Sequence, residues 1–88
     1  MPGVAASGMQ TIFVMVKCEL GRAYDVADAA VQEVGLVSEV YSISGQYDLI
    51  MKFHLDADVD IGRFVNSRVQ TLPGVKDTFT LITFKAFT

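Results

Sequence analysis

The side chains able to do chemistry are few, and most stand at two places in the chain. Gly45, Tyr47 and Asp48 lie together where Gly45 and Gln46 separate two strand-like runs. A carboxylate beside a glycine turn either bonds to turn amides or accepts a charge-assisted hydrogen bond from a cationic group. Tyr47 either packs or walls a cleft, and Gly45 lets another group approach the backbone closely. Thr78 and Thr80 are two apart, so on a strand they share a face. Ordinary β-propensity is enough to place threonines there. Arg68 interrupts an otherwise apolar stripe; its stem packs and its head reaches water, or it serves a subunit contact or a ligand carboxylate. His54 is the only histidine, and no second ligand or triad partner accompanies it. Cys18 is the only cysteine, which leaves no intrachain disulfide and no CxxC pair. It reads as a buried soft hydrophobe in a reducing cytosol.

Enzyme readings fail on inventory. The sequence holds no Ser-His-Asp set, no carboxylate pair with an obvious task, no phosphate-binding glycine loop and no metal-ligand spacing. Neither a metal nor an organic cofactor is expected. The net charge is −3 and the seven Lys and Arg are scattered. Such an acidic chain is a poor nucleic-acid binder, because phosphate neutralisation supplies most non-specific affinity. Nothing approaches the roughly 18 consecutive apolar residues of a membrane span. Residues 1–9 lack the charged start and apolar run of a signal peptide and read as a small-residue tail. A cytoplasmic location is expected.

The elements that must position these residues follow from periodicity. Ile12, Val14, Val16 and Cys18 alternate with Thr11, Phe13, Met15 and Lys17, which predicts a strand over Gln10–Cys18. Ala23, Val26, Ala27, Ala30, Val31 and Val34 recur at helical spacing after Gly21, and Gly35 suits the left-handed position that ends a helix. Val37–Ser44 and Tyr47–Leu55 read as strands joined by a tight two-residue turn whose first residue has positive φ. Ile61, Phe64, Val65, Val69 and Leu72 form the second helical stripe, with Asp58 as its expected cap. Pro73 and Gly74 stop it, and Val75–Phe84 is a last strand.

The order is β-α-β-β-α-β in one domain over residues 10–88. Hydrophobic residues make up 51% of the 88, which excludes intrinsic disorder. Area scaling gives about 63% of the unfolded surface buried, enough for a lone domain. Residues 35–42 lie over 73–80 as a faint repeat, matching Val37 to Val75 and Tyr41 to Phe79. Right-handed crossovers then leave essentially one compact α+β solution, the ferredoxin-like split βαβ: a four-stranded antiparallel sheet with both helices on one face. The other face, carrying Phe13, Met15 and Ile50, has no cover within the chain, which argues for a dimeric α/β sandwich.

In this order and spacing, the runs VSEVYSISGQYDLIMKF at 37–53 and LPGVKDTFTLITF at 72–84 resemble the ligand-binding (RAM) domain of the Lrp/AsnC family of feast/famine regulators. The resemblance extends from about Gln10 to Phe84 and rests on Gly45, Tyr47 and Asp48 at the hairpin and on the Pro-Gly-Val turn with Thr78 and Thr80. Typical members carry an N-terminal helix-turn-helix domain, and here fewer than ten residues precede the first strand. The chain therefore looks like the stand-alone ligand-binding type.

The resemblance implies a module that binds an amino acid and oligomerises in transcriptional regulation, with no direct nucleic-acid contact and no membrane. It implies that Asp48 meets the ligand's α-ammonium and that Gly45 and Tyr47 admit and wall it. Thr78 and Thr80 would bind its carboxylate or side chain. It further implies homodimers that build rings, commonly octamers, and DNA-binding relatives as partners. The alternative is a cofactor-free ferredoxin-like dimeric enzyme of the small monooxygenase type. A sensor places its cleft between subunits near Asp48 and Thr80, whereas such an enzyme encloses a cavity between the sheet and the helices of one chain.

Overall fold

Strand β1 (Met9–Cys18) leads into helix α1 (Ala23–Ala29), which runs on as a π-helical segment (Ala30–Val34). Strands β2 (Val37–Ser42) and β3 (Leu49–Asp56) follow. Helix α2 (Ile61–Phe64) also continues as a π-helical segment (Val65–Val69), and β4 (Val75–Ile82) closes the domain. These elements come from a computed structural model that describes residues 8–86. Residues 1–7 of the expected tail lie outside the described residues, and Met9, assigned to that tail from sequence, opens β1.

The sheet order is β2-β3-β1-β4, antiparallel throughout. Each βαβ unit thus skips one strand, and both helices come to the same face, as the split βαβ reading requires. The repeat seen in sequence is a structural one: β1, α1 and β2 correspond to β3, α2 and β4. Gly35 adopts φ 75° at the end of the first helical stretch, the left-handed cap expected of it.

Alternation along the two central strands builds the core. Ile12, Val14 and Val16 on β1 and Leu49, Met51 and Phe53 on β3 are fully buried. Against them pack Val26, Ala30 and Val34 from the first helix, and Phe64, Val65, Val69 and Leu72 from the second. Phe53 and Phe64 meet edge to face, 5.1 Å between centroids, so the largest core side chain ties β3 to α2. Among the described residues no polar side chain is buried, so the core draws its stability from apolar burial and packing.

Two expectations are corrected. The cap of α2 is Asp60, whose Oδ1 accepts from the Arg63 N–H at 3.1 Å, and not Asp58. The Val59 N–H bonds the Asp56 carbonyl at 3.0 Å, so a turn takes up residues 57–59 and the helix starts two residues later. Arg68 does not simply send its head to water. It donates to the Val34 carbonyl at 2.7 Å and the Glu33 carbonyl at 3.4 Å, where the first helix leaves carbonyls without partners.

The hairpin is a finer case. Ser42↔Leu49 and Tyr41↔Ile50 have the register a two-residue Gly45-Gln46 turn sets, and Gly45 takes φ 112°. The ladder nevertheless stops at Ser42 and Leu49. In a regular antiparallel strand the N–H and C=O of one residue point to the same neighbour. Asp48 breaks that rule: its N–H goes to the Val16 carbonyl on β1, while its carbonyl accepts from Ile43, both at 2.9 Å.

On the face without helices, cross-strand partners form rows. Tyr41, Ile50, Met15 and Phe79 make one continuous row across all four strands, and Glu39, Lys52, Phe13 and Leu81 make the next. The Lys52 ammonium lies 5.9 Å from the Phe13 ring centroid.

Candidate functional site

Asp48 is the junction of three strands. Besides its two backbone bonds, its carboxylate Oδ2 accepts from the Cys18 N–H at 2.8 Å. The side chain thus stands in for the backbone carbonyl that the β1 ladder would otherwise offer there. This contact spans 30 residues of sequence and holds the carboxylate rigidly, with no further hydrogen bond to its other oxygen among the described residues. The turn-amide expectation is corrected: the carboxylate bonds a strand amide of β1, 30 residues away, and not an amide of its own turn.

The carboxylate marks its surroundings. Burial pushes the Cys18 thiol pKa up, the Asp48 charge adds to the rise, and the Lys17 charge opposes it. Cys18 is buried and free, as expected of a soft hydrophobe. A buried thiol whose pKa is raised is a poor nucleophile, because the thiolate is the reactive form.

Two cavities flank the hairpin. The first, of about 400 Å³, opens on the helix-free face and is lined by Met15, Ile43, Ser44, Gln46, Tyr47 and Phe79. Tyr47 and Phe79 form its aromatic wall, their rings tilted at 6.2 Å. The second, of about 280 Å³, lies at the end of β1 and includes Lys17, Glu19, Gly21, Asp48 and Lys76. Tyr47 and Asp48, neighbours in sequence, thus serve different cavities. Gly45 lines neither, and its role is to turn the hairpin that carries both.

Thr78 and Thr80 share a row, as their spacing predicts. They pair with Val16 and Val14, so both look toward the helix side. The Thr78 hydroxyl accepts from the Gln70 side-chain amide at 2.8 Å. Neither threonine lines either hairpin cavity of its own protomer. One chain therefore does not bring Asp48, Thr78 and Thr80 together. Because β4 is an edge strand, its threonines lie where a second molecule can reach them.

Phe79, Lys76 and Gln70 escaped the sequence reading. Alternation alone was enough to find Phe79: if two threonines share one face, the residue between them occupies the other. Lys76 had no signal, because it stands in a register shift between strands distant in sequence. His54 is exposed and bonds the Thr11 hydroxyl at 3.0 Å.

A further groove, of about 340 Å³, lies on the helix side between α1 and β2, lined by Tyr24, Ala27, Asp28, Val31, Val40, Ser42 and Leu49. Its only ionisable groups are Tyr24 and Asp28. Among the described residues no helix is long and apolar enough to cross a membrane.

Comparison with known proteins places this geometry. Residues 11–88 match the model of the Lrp/AsnC ligand binding domain. The HTH-type transcriptional regulator FL11 of Pyrococcus horikoshii is 30% identical over 73 residues, 83% of this chain and 47% of that protein. The chain thus spans about half the length of the curated relatives it matches. The crystal structure of TTHA0845 from Thermus thermophilus superposes with TM-score 0.80 at 31% identity, covering 91% of this chain and 99% of that one. A transcriptional regulator of Neisseria meningitidis, NMB0573, solved as its L-Met complex, shares the fold at TM-score 0.74 and 18% identity, covering 90% of this chain and 52% of that one. The matched model is that of a ligand-binding domain, and the curated relatives, matched over about half their length, are transcriptional regulators. The chain belongs to the Lrp/AsnC family, with residues 11–88 as its ligand-binding domain.

Proposed function

We propose that this domain senses a free amino acid and transmits its presence through assembly rather than by touching DNA itself. The observation that carries the reading is Asp48: a carboxylate fixed by the Cys18 N–H, with one oxygen left to meet an ammonium group. The ligand sits near the Gly45–Gln46 turn, walled by Tyr47, and the hydroxyls of Thr78 and Thr80 come from the β4 edge of a neighbouring protomer. The L-Met complex of the related fold from Neisseria supports the ligand class.

The helix-free face, with Tyr41 and Phe79 more than half exposed, supports pairing of two copies through their sheets. Dimers then join into larger rings, and DNA-binding relatives co-assemble with them. The domain works in the cytoplasm and is no enzyme.

A thermal-shift screen against the twenty amino acids tests the sensing. A ligand at 100 times its Kd raises stability by about 2.7 kcal/mol. Calorimetry then compares wild type with Asp48→Asn, which keeps an acceptor for the Cys18 N–H and removes the charge. The charge-assisted bond is worth about 1.5–3 kcal/mol, so affinity falls about ten- to a hundredfold. No binding by wild type overturns the sensing reading. Equal affinities remove Asp48 from the site. Light scattering that finds only monomer overturns the assembly.

A further inference from the structure

We propose that the groove between α1 and β2 receives the segment that follows β4 in a copy of this chain from another dimer, with Phe84 as the apolar anchor and Lys85 facing Asp28. The inference rests on the assembly reading above and names the surfaces that join one dimer to the next.

The first helical stretch carries two apolar stripes. Ala23, Val26, Ala30 and Val34 turn to the core. Tyr24, Ala27 and Val31 recur at helical spacing on another side and line the groove, with Val40 and Leu49 of the sheet beside them. Tyr24 and Val31 remain more than half exposed. The domain fold needs only the first stripe, so the second is an apolar surface left without cover among the described residues.

Charge selects the occupant. Residues 22–42 hold Arg22 against Asp25, Asp28, Glu33 and Glu39, so the whole net charge of the chain, −3, falls on the stretch that builds α1 and β2. Arg22 is already paired with Asp25 at 3.1 Å. Two such surfaces repel each other, which disfavours a symmetric contact of α1 with α1. The segment after β4 has the opposite sign. In residues 78–88 the one charged side chain is Lys85, set between Phe84 and Phe87. Phe84 is 88% exposed, so nearly all of its apolar area is free to bury in a partner.

Topology excludes the chain's own segment. β2 and β4 are the two edges of the sheet, with β3 and β1 between them, about 14 Å apart. Ile82 pairs with Ile12, and Ile12 with Phe53, which stands opposite Val37 at the start of β2. The groove lies by Ser42 and Leu49, at the other end of β2. Phe84, two residues past Ile82, reaches only about 7 Å. The helices that cover the core lie across the path.

A neighbouring copy has no such restriction. In the reading above, its Thr78 and Thr80 already approach the Gly45–Gln46 turn. Ser42 and Leu49 each stand three residues from that turn, about 10 Å, and Phe84 is four residues beyond Thr80, about 13 Å. One contact therefore serves both the ligand site and the groove. It joins unlike surfaces, the β4 side of one copy to the β2 side of the next, and contacts of that kind build rings when their rotation closes.

Light scattering and sedimentation of the whole chain across protein concentration test this, with circular dichroism melts to confirm folding. Wild type should exceed a dimer. Phe84→Ser and Val31→Glu should each raise the concentration needed to pass beyond the dimer about tenfold or more, with melting unchanged. Asp28→Lys and Lys85→Glu should each raise it about two- to fivefold, less at high salt, and the two together in one chain should restore it. Either Phe84→Ser or Val31→Glu assembling as wild type does overturns the groove contact and leaves the assembly reading standing. A charge exchange that restores nothing overturns the pairing of Lys85 with Asp28. A wild type that stops at the dimer overturns the groove contact and leaves pairing through the sheets intact. A wild type that is only monomer overturns the assembly reading and, with it, this one.

Discussion

On the helix side of the sheet, Ile12, Val14, Val16, Leu49, Met51 and Phe53 are each 0% exposed, whereas on the opposite side Tyr41, Phe79 and Leu81 remain 56, 51 and 40% exposed. The same four strands present both faces, and both faces are apolar at their centre. The difference lies in cover. Two helices close one side, the first with a small Ala and Val stripe and the second with Phe64, Val65, Val69 and Leu72, and nothing in the described chain closes the other. Apolar content alone therefore does not separate residues that hold a fold from residues that hold a partner. The polar groups do separate them: charged and polar side chains such as Glu39, Lys52 and His54 stand on the open face, while under the helices no polar or charged side chain is buried among the described residues. An apolar patch within a polar border is the pattern of a surface that associates and also stays in solution alone.

The sharpest way to break this comparison is to cut into each face in turn. Phe53→Ala removes the largest fully buried side chain together with its edge-to-face contact to Phe64, 5.1 Å between centroids. Stability should fall by about 3–5 kcal/mol, read as a shift of the urea midpoint at constant slope. Met15→Asp puts a charge in the centre of the open row, between Ile50 and Phe79. Monomer stability should change by less than about 1 kcal/mol. Assembly should be lost, seen as a drop in mass by light scattering. If Met15→Asp unfolds the chain as Phe53→Ala does, the two faces are not functionally distinct.

A smaller effect distinguishes the faces by pH. Cys18 belongs to the covered side, and burial raises its pKa above the ordinary value of 9.0. Tyr41 belongs to the open side, and its hydrogen bond to Glu39 raises its pKa above 10.0. For both, the native state keeps its proton at a pH where the unfolded chain has lost it, so stability declines as pH rises past the unfolded value. The decline beginning near pH 9.0 should be absent in Cys18→Ala, whereas the later one should remain and disappear in Tyr41→Phe. Denaturation midpoints across alkaline pH check both; an unchanged profile in Cys18→Ala would show that its thiol feels no burial.

Much of the fold was legible because it rests on local rules. Period-two alternation in Ile12–Cys18 and Leu49–Leu55, helical spacing in Ala23–Val34, and glycine at positions 35 and 45 each act over a few residues, and the structure keeps them except at Val31, which the π-helical segment leaves 56% exposed. The hairpin register followed from its two turn residues. The helix cap did not, because Asp58 and Asp60 are equally good acceptors in sequence and only the preceding turn selects the second.

The site was legible as residue types and illegible as an arrangement. Sequence alone determined the element order, the alternation that pairs Thr78 with Thr80, and a carboxylate beside a glycine turn. It also settled that both faces of the sheet would be apolar. Only the tertiary structure decided that Asp48 bonds the Cys18 N–H, that Thr78 and Thr80 look toward the helices while Phe79 looks away, that Arg68 caps the other helix, and that a bulge carries Lys76 to Lys17. The reason is distance along the chain. Periodicity states which residues share a face, but which face is covered and which strand lies alongside are settled by pairings between segments 30 or more residues apart, such as Cys18 with Asp48 and Val34 with Arg68.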